Sequence, residues 1–219
     1  MLEQVDLLGS PFVGVVLCAT DRWVIHPPGF PPGAIARIGA ALGVPCHQVL
    51  LDGSTILGAL MVANSRGIVT TPLLSTAELE ALPGSPELGQ LQGKFNAAGN
   101  NILANDRAAL VNPSLPKEDR TLVAQTLGVE VHEGTIAGLR TVGSAAVVTN
   151  KGLLCHPRTS VAEREELGRI FGVPAMIGTA NYGSPMLGAA VVANGHGAVT
   201  GLSSTGIELG RIEEALQLF

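Results

Sequence analysis

Gly58-Ala-Leu-Met-Val-Ala-Asn-Ser-Arg-Gly67 and Gly188-Ala-Ala-Val-Val-Ala-Asn-Gly-His-Gly197 are one phrase written twice, 130 residues apart. Six of the ten positions are identical, and the next five residues add Val69 and Thr70 against Val199 and Thr200. Eight matches in fifteen, where shared composition gives roughly one or two, make an internal repeat, and a repeat decides a fold before anything else. Weaker echoes stand at Gly14–Arg22, Asn101–Ala108 and Gly143–Gly152. Each copy runs into a short apolar strand and then Pro27, Pro72, Pro113 or Pro157, with Leu202 in the fifth place, in steps of 45, 41, 44 and 45 residues. Five units without linkers predict one closed domain over 1–219, with repeats at about 10–51, 52–96, 97–138, 139–183 and 184–219 and with 1–9 closing the ring.

Hydrophobic residues make up 46% of the chain, aromatics only 3%, and there are 28 glycines, so the core is built from small side chains and closely packed backbones around a narrow axis. No apolar run approaches the roughly 18 residues that span a bilayer. Met1–Gly9 carries Glu3 and Asp6 instead of a basic flank, so neither signal peptide nor membrane span is expected. The odd count of three cysteines fits buried free thiols in a reducing cytoplasm. Net charge is −5 and lysine is confined to Lys94, Lys117 and Lys151. That balance predicts little direct nucleic-acid contact and a basic protein as partner.

In unit one, strands are expected over 12–19, 23–26 and 44–51, a proline-rich loop over 27–33, and a helix over 34–42 capped by Gly43. Ser75 with Glu78, Ser160 with Glu163 and Thr205 with Glu208 have capping-box spacing, placing helix starts there. These predict helices 76–82, 161–171 and 206–217, with a further helix 116–127 opening on Pro116. Strands are expected at 88–95, 129–132, 145–149, 153–156, 173–177, 189–193 and 198–201. Unit five lacks a closing strand, and residues 2–8 are expected to supply it, leaving no unit with an open end.

Rings of this kind also host cysteine hydrolases of guanidine groups, which need Cys, His and carboxylates converging on the axis. Here the last unit has no Cys, and Cys155 and His156 are strand neighbours pointing to opposite faces, so catalysis is not expected. The five histidines lie in different units without metal-ligand spacing, and the glycine-rich stretches lack phosphate-loop spacing, so neither metal nor cofactor is expected. Asn64, Asn105, Asn150 and Asn194 recur after the first strand as turn residues that tolerate a left-handed backbone. The residues just before each first strand are Ser10 and Pro11, Ser54 and Thr55, Asn100 and Asn101, Thr141 and Val142, and Tyr182 to Pro185. Equivalent positions gather at one end of the axis. They form a face with Leu57, Asn100, Val142, Tyr182 and Met186 as contacts, mixed in character as a protein-docking patch is.

Gly99-Asn-Asn-Ile-Leu-Ala-Asn-Asp-Arg-Ala-Ala-Leu-Val-Asn-Pro113, Val142–Gly152 with His156-Pro157, and Gly178-Thr-Ala-Asn-Tyr-Gly183 with Thr205-Gly-Ile-Glu-Leu209 resemble the translation initiation factor 6 family. The C-terminus at Phe219 resembles its archaeal branch. The resemblance implies the pentein fold, an α/β propeller of five ββαβ-type units about a pseudo-fivefold axis. It also implies a monomer without chemistry that binds the large ribosomal subunit. The partner would be chiefly universal ribosomal protein fourteen near the sarcin–ricin loop, and binding would bar the small subunit during biogenesis and initiation. The family's docking face maps onto Gly14, Leu57, Gly58, Ala59, Asn100, Val142, Gly143, and Met186 to Gly188, with Asn101 and Tyr182 from the turn ring beside them. Ala59 stands where many relatives carry a larger or charged residue.

Overall fold

The computed structural model describes residues 1–7, 9–72, 75–84 and 86–219. After β1 (Leu2–Val5), five units follow in one order: a one-turn helix, a hairpin, a longer helix and, in the first four, a third strand. Unit one holds α1 (Val13–Val16), β2 (Cys18–Ala19), β3 (Val24–His26), α2 (Pro32–Leu42) and β4 (Cys46–Gln48). Unit two holds α3 (Leu57–Leu60), β5 (Met61–Ala63), β6 (Gly67–Thr70), α4 (Thr76–Ala81) and β7 (Glu87–Gln90). In unit three these are α5 (Ala98–Asn101), β8 (Ile102–Ala104), β9 (Ala108–Val111), α6 (Lys117–Leu127) and β10 (Glu130–Glu133). Unit four has α7 (Val142–Ala145), β11 (Ala146–Val148), β12 (Leu153–Cys155), α8 (Val161–Phe171) and β13 (Ala175–Ile177). Unit five ends the chain with α9 (Leu187–Ala190), β14 (Val191–Ala193), β15 (Ala198–Gly201) and α10 (Gly206–Leu216).

Each unit is a three-stranded sheet whose middle strand runs antiparallel to the first and parallel to the third. In unit five β1 takes the third place, parallel to β15 with Leu2 opposite Ala198 and Val5 opposite Gly201. The ring is therefore closed by its N-terminal strand, as expected; Leu8, assigned to that strand from sequence, lies outside the described residues. The fold is the five-fold pseudosymmetric pentein.

The core lies between the units. Five apolar clusters each straddle a pair of neighbours, such as Leu103, Ala108 and Leu110 of unit three against Val148, Leu153 and Phe171 of unit four. Closer to the axis the one-turn helices pack in a circle: α1 on α3, α3 on α5, α5 on α7, α7 on α9, α9 on α1. The second residue of each turn is glycine, namely Gly14, Gly58, Gly99, Gly143 and Gly188. A Cβ on any of them would overlap the carbonyl oxygen of the preceding glycine in the circle, from Gly188 round to Gly14. Only hydrogen fits there.

Several sequence expectations change. The strands read at 12–19, 145–149 and 189–193 begin later, because a helical turn occupies their first residues. The amides of Leu17 and Val191 close those turns onto Val13 and Leu187. β-branched residues favour extended backbone, but here the crowding at the axis decides. The strand read at 88–95 is β7, shifted towards Glu87, and the strands read at 44–51 and 173–177 shorten to β4 and β13 after Pro45 and Pro174. α2 starts at Pro32 inside the loop read at 27–33, with proline in its first turn, and Pro116 is the N-cap of α6.

The asparagine series is also corrected. Asn64, Asn105 and Asn194 are not left-handed. Their Oδ1 accepts the amides two and three residues on, while Nδ2 donates to two carbonyls of the next unit. Asn105 Nδ2 reaches Thr149 O at 3.2 Å and Phe171 O at 3.1 Å; Asn64 reaches Asn105 and Leu127; Asn194 reaches Thr20 and Leu42. In unit four the equivalent residue is Thr149, whose hydroxyl accepts the Lys151 and Gly152 amides, so Asn150 stands one place outside the series.

Replacing Gly99 with Ala is expected to destabilise the protein by about 3 kcal/mol or more, as an overpacked site against rigid backbone does. Gly210→Ala, in α10 with open space at its Cβ position, is expected to stabilise by about 0.5–1 kcal/mol. Urea unfolding of the two variants checks both signs.

Candidate functional site

Strand directions give the wheel two unlike ends. The first strand of each unit runs from its one-turn helix to the hairpin, the middle strand returns, and the long helix runs back towards the hairpin. One end, the hub end, thus collects the one-turn helices and the long-helix N-termini; the other collects hairpins and helix C-caps.

The hub-end loops are fixed by carboxylates on the third residue of four long helices. Glu163 completes a capping box with Ser160 and also accepts the Ala137 amide of unit three. Glu78 does the same for Ser75 and Gly53, and Asp119 accepts the Gln92 and Gly93 amides. Glu208 is buried and accepts from Thr205 N–H at 2.8 Å, Tyr182 N–H at 3.1 Å, and Gly183 N–H and the Thr179 hydroxyl at 2.8 Å each. Burial pushes this carboxyl up, but the hydrogen bonds outweigh it and hold the pKa at about 2. The three predicted capping boxes therefore exist; Glu163, Asp119 and Glu208 also tie their units to the one before, and Glu78 holds the Gly53 turn that opens its own unit. Between units five and one the tie is different: Arg37 pairs with Glu3 and donates to Gln4 O at 2.7 Å.

The predicted contact residues divide by position in the one-turn helix. Leu57 and Val142, expected on the surface, are 0% exposed, because the first side chain of every turn points between the sheets into the core. Gly14 and Gly143 are buried in the glycine circle, and Gly58 and Gly188 are partly covered there. Asn101 is buried too, donating to Ala97 O and accepting from Asn112 Nδ2, so its role is internal. Ala59 is nearly buried, whereas Asn100 remains partly accessible, bonded to the Ser144 hydroxyl. Met186 is half-buried and Tyr182 is exposed.

The more accessible ring lies one residue earlier, at the N-cap of each turn: Phe12, Ile56 and Thr141 are exposed there, and Ala97 and Met186 half-buried. Phe12 and Ile56 went unread, although aligning the repeats on their hub glycines puts both in register with Met186. Among the described residues, the large apolar side chains left exposed are Phe12, Ile56, Val161, Tyr182, Leu202 and Ile207 at the hub end and Met1 and Phe219 at the other.

Along the axis a channel of about 110 Å³ is lined by the ring glycines and by small residues such as Ala63, Ala104 and Ala193. Its thiol, Cys18, is pushed up to about 12 by burial. At the hairpin mouth Asn150 Nδ2 donates to Asp21 at 2.9 Å and Asp106 at 2.7 Å, so these carboxylates are tied to an amide. Cys155 donates to Met176 O on the neighbouring strand and His156 Nδ1 accepts the Arg158 amide, so each is bonded to backbone and they do not pair.

The wheel thus carries most of its exposed large apolar side chains at the hub end, while the asparagines and helix-start carboxylates are committed to internal hydrogen bonds. The eIF-6 family model matches residues 2–215. The chain is 45% identical to Translation initiation factor 6 of Methanosarcina mazei, over 99% of this chain and 98% of that protein. Identity is 40% to the Pyrococcus horikoshii protein of the same name, over 98% of each, and 41% to that of Haloquadratum walsbyi, over 97% and 95%. The chain belongs to the eIF-6 family. Among the described residues no helix is long and apolar enough to cross a membrane.

Glu208 has a carboxyl pKa lowered in the folded state, so its contribution is complete above the unfolded value near 4.5 and is lost as pH falls towards about 2. Glu78 and Glu163 are shifted in the same direction by the Gly53 and Ser160 amides respectively. Stability is expected to fall between these limits, and Glu208→Gln is expected to flatten that slope while lowering stability at pH 7. Thermal unfolding against pH measures both.

Proposed function

We propose that this chain is a cytoplasmic, monomeric, non-enzymatic factor of translation initiation and large-subunit biogenesis. It binds the large ribosomal subunit by its hub end and keeps the small subunit away by occupying the joining surface. The observation that carries this reading is the gathering of six exposed large apolar side chains at the hub end, from Phe12 at 39% exposed to Ile207 at 88%, against only Met1 and Phe219 at the other end among the described residues. Exposed apolar groups gathered on one face mark a contact site. Family membership and the names of its relatives support the ribosome as the target. The acidic balance of the chain favours a basic protein, and universal ribosomal protein fourteen near the sarcin–ricin loop is the partner that the family resemblance implies. No step of this role needs a nucleophile, which accords with thiols raised by burial at Cys18, Cys46 and Cys155.

Co-sedimentation with purified large subunits tests the reading; absence from that peak counts against it. Asn100→Arg and Ile56→Asp are each expected to weaken binding at least tenfold, about 1.4 kcal/mol or more. Asp is a favoured N-cap, so Ile56→Asp is expected to keep the melting temperature. Wild-type binding by both variants would move the docking site off the hub end.

A further inference from the structure

The hub-end loops are not all alike. Those bridged by Leu51 with Ser54 and by Ile136 with Leu139 have two residues at their tips, Asp52-Gly53 and Ala137-Gly138, all with positive φ. The loop bridged by Ala180 with Ser184 has three: Asn181 (φ 51°), Tyr182 (φ 61°) and Gly183 (φ 93°). The added residue brings an aromatic ring that is 84% exposed. Bulky residues with positive φ persist only where their surroundings hold them. Here the Tyr182 and Gly183 amides donate to the buried Glu208 carboxylate, the Asn181 amide to Ser204 Oγ at 2.9 Å, and Asn181 Nδ2 to Pro11 O at 2.6 Å. The same bonds seat the loop against the segment carrying Leu202, 59% exposed, and the helix turn carrying Ile207.

The backbone is thus ordered before any partner arrives, while the ring stands free. Rigid tyrosines with few torsions to lose are the side chains that dominate protein interfaces. Charge around it is sparse: residues 178–186 and 201–207 contain no Lys or Arg, the adjoining 6–12 segment contributes only Asp6, and Arg211, whose stem lies along Gly178, is paired with Glu214. Phosphates would find little free counter-charge here.

From these observations we infer that Tyr182, framed by Leu202 and Ile207, is the aromatic anchor of the docking face and inserts into an apolar pocket on a basic globular protein of the large subunit. The inference rests on the docking reading above. Sedimentation with purified large subunits should show Tyr182→Ala weakened about 30-fold, Tyr182→Phe within about threefold, and Ile207→Ser in between, all with wild-type melting temperatures. The loss should be the same factor at roughly 0.05 and 0.3 M salt, and protein-free ribosomal RNA should not distinguish the variants. Tyr182→Ala binding as wild type overturns the anchor and leaves the docking function standing. A loss reproduced on protein-free RNA overturns the protein pocket in favour of base stacking. A wild-type chain that fails to bind large subunits removes both readings.

Discussion

Five backbone segments meet at the axis at a distance that leaves no room for a Cβ. Every other feature of the wheel follows from that approach. With hydrogen at Gly14, Gly58, Gly99, Gly143 and Gly188, the one-turn helices interlock and the small first strands line the axis. The first side chain of each turn is then driven between sheets, which is why Val13, Leu57, Ala98, Val142 and Leu187 are all fully buried. The residue before it is left at the surface. Core and hub-end surface are thus fixed by the same contact, one residue apart.

Away from the axis the units are joined by polar groups that reach across each boundary. Helix-start carboxylates bind the preceding unit's loops at the hub end, and asparagine amides bind the next unit's carbonyls near the hairpins. Both use groups that a helix end or turn needs in any case, so one side chain satisfies local and inter-unit demands together. Thr20 and Thr149 stand in for asparagine, and their hydroxyls keep the local turn; unlike the asparagines, they have no amide to send across. The boundaries are therefore chemically unequal within a symmetric plan.

Much of this was legible in the sequence because repetition puts equivalent residues in register. The five-unit order, the capping boxes at Ser160 and Thr205, the glycine stops at Gly43, Gly128 and Gly172 and closure by the N-terminal strand all follow from local rules. The one-turn helices were not legible, since Phe12 to Ala19 has the composition of a strand and only the crowded axis bends it. That single error displaced the expected contacts Leu57 and Val142 from the neighbouring exposed positions Ile56 and Thr141. The second function of Glu163 and Glu208 was hidden for another reason: spacing reports what a side chain does for its own helix, and nothing about the loop lying across it.

The strand that closes the wheel also sets the order of its assembly. Leu2–Val5 is made well ahead of its partner Ala198–Gly201, with four whole units between them, whereas the hairpins and their following strands find their partners within one unit. Units can therefore form one by one during synthesis, but the final join spans nearly the whole polypeptide and bears the largest loop-closure cost. Until then the nascent arc keeps two unfinished edges, and the ring is complete only once β15 is made and β1 has paired with it.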